Sequence, residues 1–280
     1  MRIWRRFFNR NLFKQIFFPM NMALKKIELL RSKELSGKEK AMLRQISLRV
    51  HKNDLRFNYF DASHYLAVGL SAIRCIENAL KNASPEKEPR TILDFPCGYG
   101  RVLRFLKAKF PKGDITACDI KPLALDVVKR TFNVATIASS SSLDEVPFSH
   151  KFDLIWCGSL ITHLAEQDTV KLLKIFYKHL SPGGVCVFTT HGQLSVEKIE
   201  SKKFCYGLSE SAQQELLNGF RDKKYGYAEK PNMHRYGESI VSHNRMLAIA
   251  QSIGNWREIY YREHEWDNHQ DVYAFMLPRS

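Results

Sequence analysis

The sequence predicts an α/β protein: a doubly wound, seven-stranded, mostly parallel sheet with an antiparallel last strand, preceded by an N-terminal helical cap. Three observations predict it. From Thr91 onward, short apolar β-branched runs alternate with segments of helical spacing, which is the pattern of βαβ units. The first of these runs passes directly into a glycine turn at Gly98 and Gly100. The two final runs, residues 256–266 and 271–277, suit a terminal hairpin that sets the last strand against the others.

The elements follow in chain order. Residues 1–20 hold Arg2, Arg5, Arg6, Arg10 and Lys14, no acid, and six aromatic rings from Trp4 to Phe18. Ile3, Trp4, Phe7 and Phe8 share a helical face opposite the arginines, and Pro19 is expected to end the segment. Such a basic amphipathic stretch suits an anionic membrane surface; packing on its own domain or on another subunit, and a transit peptide, are the alternatives. Residues 21–90 read as helical cap and linker. Two helices fall in 22–50, the second opened by the capping box Ser36-Gly37-Lys38-Glu39, and a third in 61–82. Pro85 and Pro89 mark the linker. Arg56, Phe57, Tyr59, His64 and Tyr65 belong to this cap, and Tyr65 is either a lid residue over a ligand or simply core.

The sheet domain spans residues 91–280. Its strands are expected at 91–95, 115–119, 134–138, 152–157, 185–190, 256–266 and 271–277, with helices at 122–132, 166–180 and 242–253 between them. Residues 193–241 are too long for a simple connection. They contain a helix at 209–220 and an aromatic-basic stretch from Lys223 to Tyr236, and an insertion there hangs over the ligand face as a lid. Asp94 ends the first strand and Asp119 ends the second, 19 residues past Gly100. A carboxylate in the second position can accept both hydroxyls of a ribose, and a helix cap is its alternative role.

The totals bound the function. The formal charge is +14, but residues 1–60 contain 15 Lys plus Arg against 4 acids, so +11 lies there and only +3 in the rest. An electrostatic partner therefore belongs with the N-terminal region. The six cysteines lack C-x-x-C spacing, which argues for a reduced, cytoplasmic chain with neither disulfide frame nor metal site. No stretch approaches the ~20 apolar residues of a membrane span, leaving peripheral contact with the inner membrane face as the expected association.

Strand, acid and glycine turn together resemble the first motif of class I S-adenosylmethionine-dependent methyltransferases, and Leu180-Ser181-Pro182-Gly183-Gly184 with Phe188 resembles a later motif of that family. One position departs: the family's first glycine is Pro96, which stiffens the loop and removes a donor. The resemblance implies that S-adenosylmethionine lies over Asp94, Pro96, Gly98, Gly100 and Arg101, with Asp119 and Ile120 at the adenosine. Arg101 is placed to meet the methionine carboxylate, or is an exposed first-turn residue. Serines 139–142 stand where relatives meet the adenine. A dinucleotide site wants a third glycine where Leu103 stands.

Methyl transfer to a hydroxyl is helped by a base near neutrality, and His163, His191 and His269 all reach the ligand face, as catalytic candidates or as structural groups. After the fourth strand stands Cys157-Gly158-Ser159-Leu160, not the Asn/Asp-Pro-Pro-aromatic motif of base-amine methyltransferases, and Pro96-Cys97 falls in the wrong loop for a C5 nucleophile. The leading expectation is O-methylation of a hydroxyl on a sugar, glycan or lipid-linked intermediate at a membrane. An RNA methyltransferase gripping phosphates through residues 1–60, and a catalytically silent scaffold, are the rivals; a homo-oligomer is compatible with each.

Overall fold

Asp94 and Asp119 end strands that lie side by side, paired in parallel, in a seven-stranded sheet. The computed structural model describes residues 10–58, 62–83, 88–143 and 146–279, with side chains from residue 19. The arginines and aromatics of residues 2–8, Tyr59 and Pro85 lie outside the described residues.

Three helices come first: α1 (Arg10–Arg31), α2 (Gly37–Gln45) and α3 (Ala62–Ala83). The expected break at Pro19 does not occur, for α1 runs through it. A proline in a helix removes one N–H, and the buried Met22 and half-buried Leu29 and Leu30 seat the later turns on the core regardless. Ser36 opens α2 with the expected box: its hydroxyl accepts from the Glu39 N–H while the Glu39 carboxylate accepts from the Ser36 N–H at 2.8 Å.

The βαβ part then runs β1 (Thr91–Asp94), α4 (Leu103–Lys109), β2 (Asp114–Asp119), α5 (Pro122–Phe132), β3 (Ala135–Ala138), β4 (Phe152–Cys157), α6 (Glu166–His179) and β5 (Leu180–Thr190). A 3-10 turn, Ile161–His163, joins β4 to α6. β1 pairs in parallel with β2 and β4, and β5 in parallel with β4. The run Ser181–Gly184 is an irregular excursion at the head of β5, so pairing jumps from Phe152↔Leu180 to Leu154↔Val185.

The insertion is more structured than its sequence predicts. It holds α7 (Gln193–Glu200), α8 (Glu210–Lys223) and a separate hairpin of β6 (Tyr225–Glu229) and β7 (Gly237–Val241). It packs on a small core of its own, with Tyr206, Leu216, Phe220 and Ile240 inside. α9 (His243–Ile253), β8 (Arg257–Trp266) and β9 (Gln270–Met276) close the chain. β9 is antiparallel to β5 with Thr190 opposite Asp271, so the β8–β9 turn returns to the edge where β1, β2, β4 and β5 end.

The sheet separates two large apolar clusters. One joins α1–α5 to the sheet and includes Leu66, Ile73, Phe105, Trp156 and Trp266; the other lies under α6 and α9 around Phe95, Phe176, Phe188 and Phe275. Tyr65 is buried in the first, and the Trp266 indole N–H donates to the Val68 carbonyl at 3.1 Å, tying α3 to the end of β8. No helix among the described residues is long and apolar enough to cross a membrane.

Candidate active site

The crevice at the strand ends is built by the backbone of the glycine turn. Phe95 N–H donates to the Trp156 carbonyl and Cys97 N–H to that of Cys118, so the turn is stitched to both neighbouring strands. Asp119 completes the stitching, accepting from the N–H of Gly98 at 2.8 Å and of Lys121 at 2.9 Å. Gly98 and Gly100 have φ of +52° and +85°, the left-handed region that side chains avoid. At Gly100 a Cβ would also lie 2.4 Å from the Phe132 ring, whereas at Gly98 it would meet nothing within 4 Å. Gly100 is therefore fixed by the fold, and Gly98 keeps the crevice open. Pro96 is half-buried beside it.

Asp94 is the anomaly of this crevice. It is 1% exposed, and neither carboxylate oxygen has a hydrogen-bond partner among the described residues. Burial, and then the nearby Asp119, hold its pKa well above the usual carboxylate range. A buried carboxylate without partners is costly, which is the signature of a group waiting for a cationic donor.

Arg101 and Arg104 divide the work on the other wall. The Arg104 side chain is 1% exposed and donates to three carbonyls, those of Gly100, Ser47 and Arg49, at 3.0, 2.6 and 3.1 Å. It also donates to the Tyr65 hydroxyl, which in turn donates to Asp54 at 2.7 Å. Arg104 thus fastens the N-terminal helices to the glycine turn, and Tyr65 is part of that buried fastening. Half-buried Arg101 lies over the Tyr65 ring at 5.9 Å and makes no hydrogen bond to a described residue. Ile120 is 50% exposed directly after Asp119, an apolar side chain on the rim.

At the same edge of the sheet, after β4, after β5 and before β9, the structure brings His163, His191 and His269 together. The His191 and His269 ring centres are 5.2 Å apart, and His163 and His191 both face Glu238 of β7, at 3.4 and 3.7 Å. Their environments differ. His191 is 4% exposed; burial, then His269 and His163, push its pKa well below the usual value, so it is neutral. His269 is pushed down to about 4 by burial and then by Lys198. Its Nδ1 accepts from the Lys198 ammonium at 2.7 Å, and its Nε2–H donates to Tyr206 at 3.2 Å, so both nitrogens are committed. His163 Nδ1 lies 2.9 Å from the Gly237 carbonyl. A carbonyl only accepts, so Nδ1 carries the proton and the Nε2 lone pair has no partner among the described residues.

The carboxylates and glycines named from the sequence meet at the turn after β1, and the three histidines meet one another; Glu238, Arg104 and Tyr206 were not named from the sequence. Glu238 is 3% exposed in a strand buried along its whole length, and it pairs with Lys230. A lone acid inside Gly-Glu-Ser-Ile-Val was the available signal.

Residues 92–184 match the family model described as a methyltransferase domain. Among curated proteins, a malonyl-[acyl-carrier protein] O-methyltransferase of Priestia megaterium is 30% identical over 116 residues, 41% of this chain and 40% of that protein. A tRNA N(3)-methylcytidine methyltransferase of Schizosaccharomyces pombe is 29% identical over 124 residues, 41% of this chain and 50% of that one. The chain thus spans about two-fifths to half the length of these relatives. Among solved structures, an S-adenosylmethionine-dependent methyltransferase of Clostridium acetobutylicum superposes with a TM-score of 0.53 at 16% identity, over 74% of this chain and 90% of that one. DesVI of Streptomyces venezuelae gives 0.53 at 15% identity, over 82% and 99%. With its glycine turn and strand order, the chain matches a methyltransferase-domain model over residues 92–184 and shares its fold with solved S-adenosylmethionine-dependent methyltransferases.

Proposed function

We propose that this protein transfers a methyl group from S-adenosylmethionine to a hydroxyl, with His163 as the base. The observation that carries the reading is the buried carboxylate of Asp94, unpartnered among the described residues, beside the open Gly98, at the same strand-end edge as His163, whose Nε2 has no partner among the described residues. The residues fit the cofactor: Asp94 takes the ammonium group of its methionine part and Arg101 the carboxylate. Asp119, whose oxygens keep lone pairs beyond the two backbone N–H groups they accept, takes ribose hydroxyls, and Ile120 covers the base.

When bound, the cofactor supplies a methyl group already activated on a sulfonium. The protein's part is alignment, exclusion of water and removal of one proton. The lid residues Tyr236 and Tyr206 wall the acceptor side, and Tyr236 stacks on His163 with ring centres 4.5 Å apart. In that transfer His163 Nε2 would take the proton that the acceptor hydroxyl gives up. His191 and His269 stay neutral and serve as polar walls.

The relatives named as O-methyltransferases support oxygen as the acceptor atom. The tRNA relative, like the first of these, matches 41% of this chain. Polar walls with tyrosine rings suit a sugar, glycan or lipid-linked hydroxyl. A membrane setting draws support from α1, where exposed Met20, Leu24 and Ile27 recur at i, i+4 and i+7 opposite the buried Met22.

Tritiated S-adenosylmethionine incubated with fractionated lysate tests the reading. Label in glycan or lipid fractions supports it; label in RNA supports the rival in which the basic N-terminal region grips phosphates. No binding of S-adenosylmethionine by calorimetry overturns both. Binding of anionic vesicles, weakened by Leu24→Ser with Ile27→Ser, tests the membrane setting separately.

A further inference from the structure

The lid does more than cover the site, because it supplies groups that hold the His163 ring. Gly237 accepts from Nδ1, Tyr236 stacks on the ring, and Glu238 places Oε1 3.4 Å from Nδ1. All three are consecutive residues of the β6–β7 hairpin or its turn, while the turn after β4 holds the histidine's backbone, its N–H donating to the Leu160 carbonyl. The hairpin is pinned close by: the Ser239 hydroxyl donates to the Ile161 carbonyl at 2.7 Å, and the Tyr225 hydroxyl donates to that of Leu164 at 3.0 Å. Glu238 is 3% exposed, yet its Oε2 has no hydrogen-bond partner among the described residues and faces His191 Nδ1 at 3.7 Å. Keeping a carboxylate there is costly unless its charge is used.

We propose that Glu238 is a positioning residue for His163, making that histidine a competent base only when the lid hairpin is docked. Gly237 and Glu238 hold the ring with Nδ1 protonated and Nε2 turned to the acceptor. The Glu238 charge then stabilises the imidazolium that forms when Nε2 takes the hydroxyl proton, and the proton leaves to solvent after the product. Lys230, at the outer end, pairs with Glu238 and moderates that charge. The inference rests on the reading of His163 as base.

The groups facing His163 fix the sign of the test. From the hairpin come Glu238, Tyr236 and, through Glu238, Lys230. From the end of β5 comes His191, with His269 behind it, both neutral. From the N-terminal side Arg56 acts on Tyr236. Among the described residues Glu238 is the anion set against the His163 ring, placed to stabilise the charge that the ring gains in the reaction.

The experiment is steady-state methyl transfer by the full chain, using the lysate fraction that takes label. Glu238→Gln lowers kcat on the order of 10- to 100-fold with KM little changed, and Glu238→Asp restores part of kcat. Lys230→Met, on the part-exposed end of the pair, moves kcat the opposite way. A kcat equal to the parent's in Glu238→Gln, a loss carried by KM, or a Glu238→Asp variant no better than Glu238→Gln overturns the proposal. If Glu238→Gln does not fold, Lys230→Met decides, and a lowered kcat there overturns it. Calorimetric binding of S-adenosylmethionine, retained in all variants, reports on the cofactor reading independently.

Discussion

The cofactor crevice and the acceptor lid are both lined by buried polar groups, yet they are built in opposite ways. The crevice is made of backbone at the ends of adjacent strands, with Asp94, Gly98, Gly100 and Asp119 lying within 26 residues of chain. The lid side is made of side chains from five places: His163 after β4, His191 after β5, Lys198 on α7, Glu238 on β7 and His269 before β9. A ligand common to many enzymes can be held by geometry the fold provides anyway, at the carboxyl edge of a parallel sheet. An acceptor peculiar to one enzyme needs a surface assembled for it, and part of that proposed surface, with Lys198 and Glu238, comes from an insertion with its own small core.

The largest test of this contrast is Asp94→Asn. If the crevice is an electrostatic site for a cation, the substitution costs on the order of 100-fold in S-adenosylmethionine affinity by calorimetry, with lid and sheet intact. The free protein moves the other way. Asp94's folded-state pKa is raised above its unfolded value near 3.8 by burial and Asp119. Its contribution to stability is therefore whole below that value and is lost as pH rises through the folded-state pKa. Asp94→Asn removes this loss, so the variant melts a few degrees above the parent at about pH 8 and nearer to it at about pH 4. A variant that binds normally, or one that melts lower at the higher pH, breaks the idea that the crevice stores an unpaired charge for its ligand.

A smaller effect separates fold from ligand inside the crevice. Gly100→Ala drives a Cβ to within 2.4 Å of the Phe132 ring at φ +85° and should cost about 2–3 kcal/mol of unfolding free energy. Gly98→Ala meets no neighbour at φ +52° and should cost about 1 kcal/mol while blocking the approach of the cofactor. Denaturant melts and calorimetric titration, run on both, distinguish the two. Equal losses of stability would mean that Gly98 too is a packing residue.

These residues also show what could be read in advance. Asp94, the two glycines and Asp119 were legible because strand, turn and helix are local patterns, and the 19-residue step to Asp119 is one helix plus one strand. The ends of β2, α5, β4 and α9 were legible for the same reason. Arg104 was not, because the carbonyls of Ser47 and Arg49 that it holds lie 57 and 55 residues away. Its signal was a charged residue between Leu103 and Phe105 on a helix whose neighbours are apolar. Glu238 was hidden similarly, since His163 is 75 positions earlier and nothing in either segment names the other. The hairpin of β6 and β7 was missed because Tyr225–Tyr227 and the turn before Tyr236 read as an aromatic-basic surface. In the fold Tyr225 is buried and Tyr236 covers a histidine. Periodicity finds elements; it does not find which distant element a polar side chain will meet.

The gentlest perturbation addresses the lid directly. The Tyr225 hydroxyl is buried, shares a hydrogen bond of 2.7 Å with Thr169 and donates to the Leu164 carbonyl at 3.0 Å, pinning β6 to the start of α6. Tyr225→Phe removes that oxygen and leaves the ring, so the cost is about 1 kcal/mol, set by one lost donor and one unsatisfied carbonyl. If the lid is an independent assembly laid over a finished sheet, that cost falls on the hairpin alone. Amide exchange then quickens about fivefold in residues 225–241 and stays unchanged in β1, β2 and β4, while affinity for S-adenosylmethionine holds. Because the hairpin holds His163, turnover should fall even though cofactor binding does not. Quickened exchange throughout the sheet would show instead that crevice and lid fold as one cooperative unit, and the contrast between them would be one of chemistry without a boundary in stability.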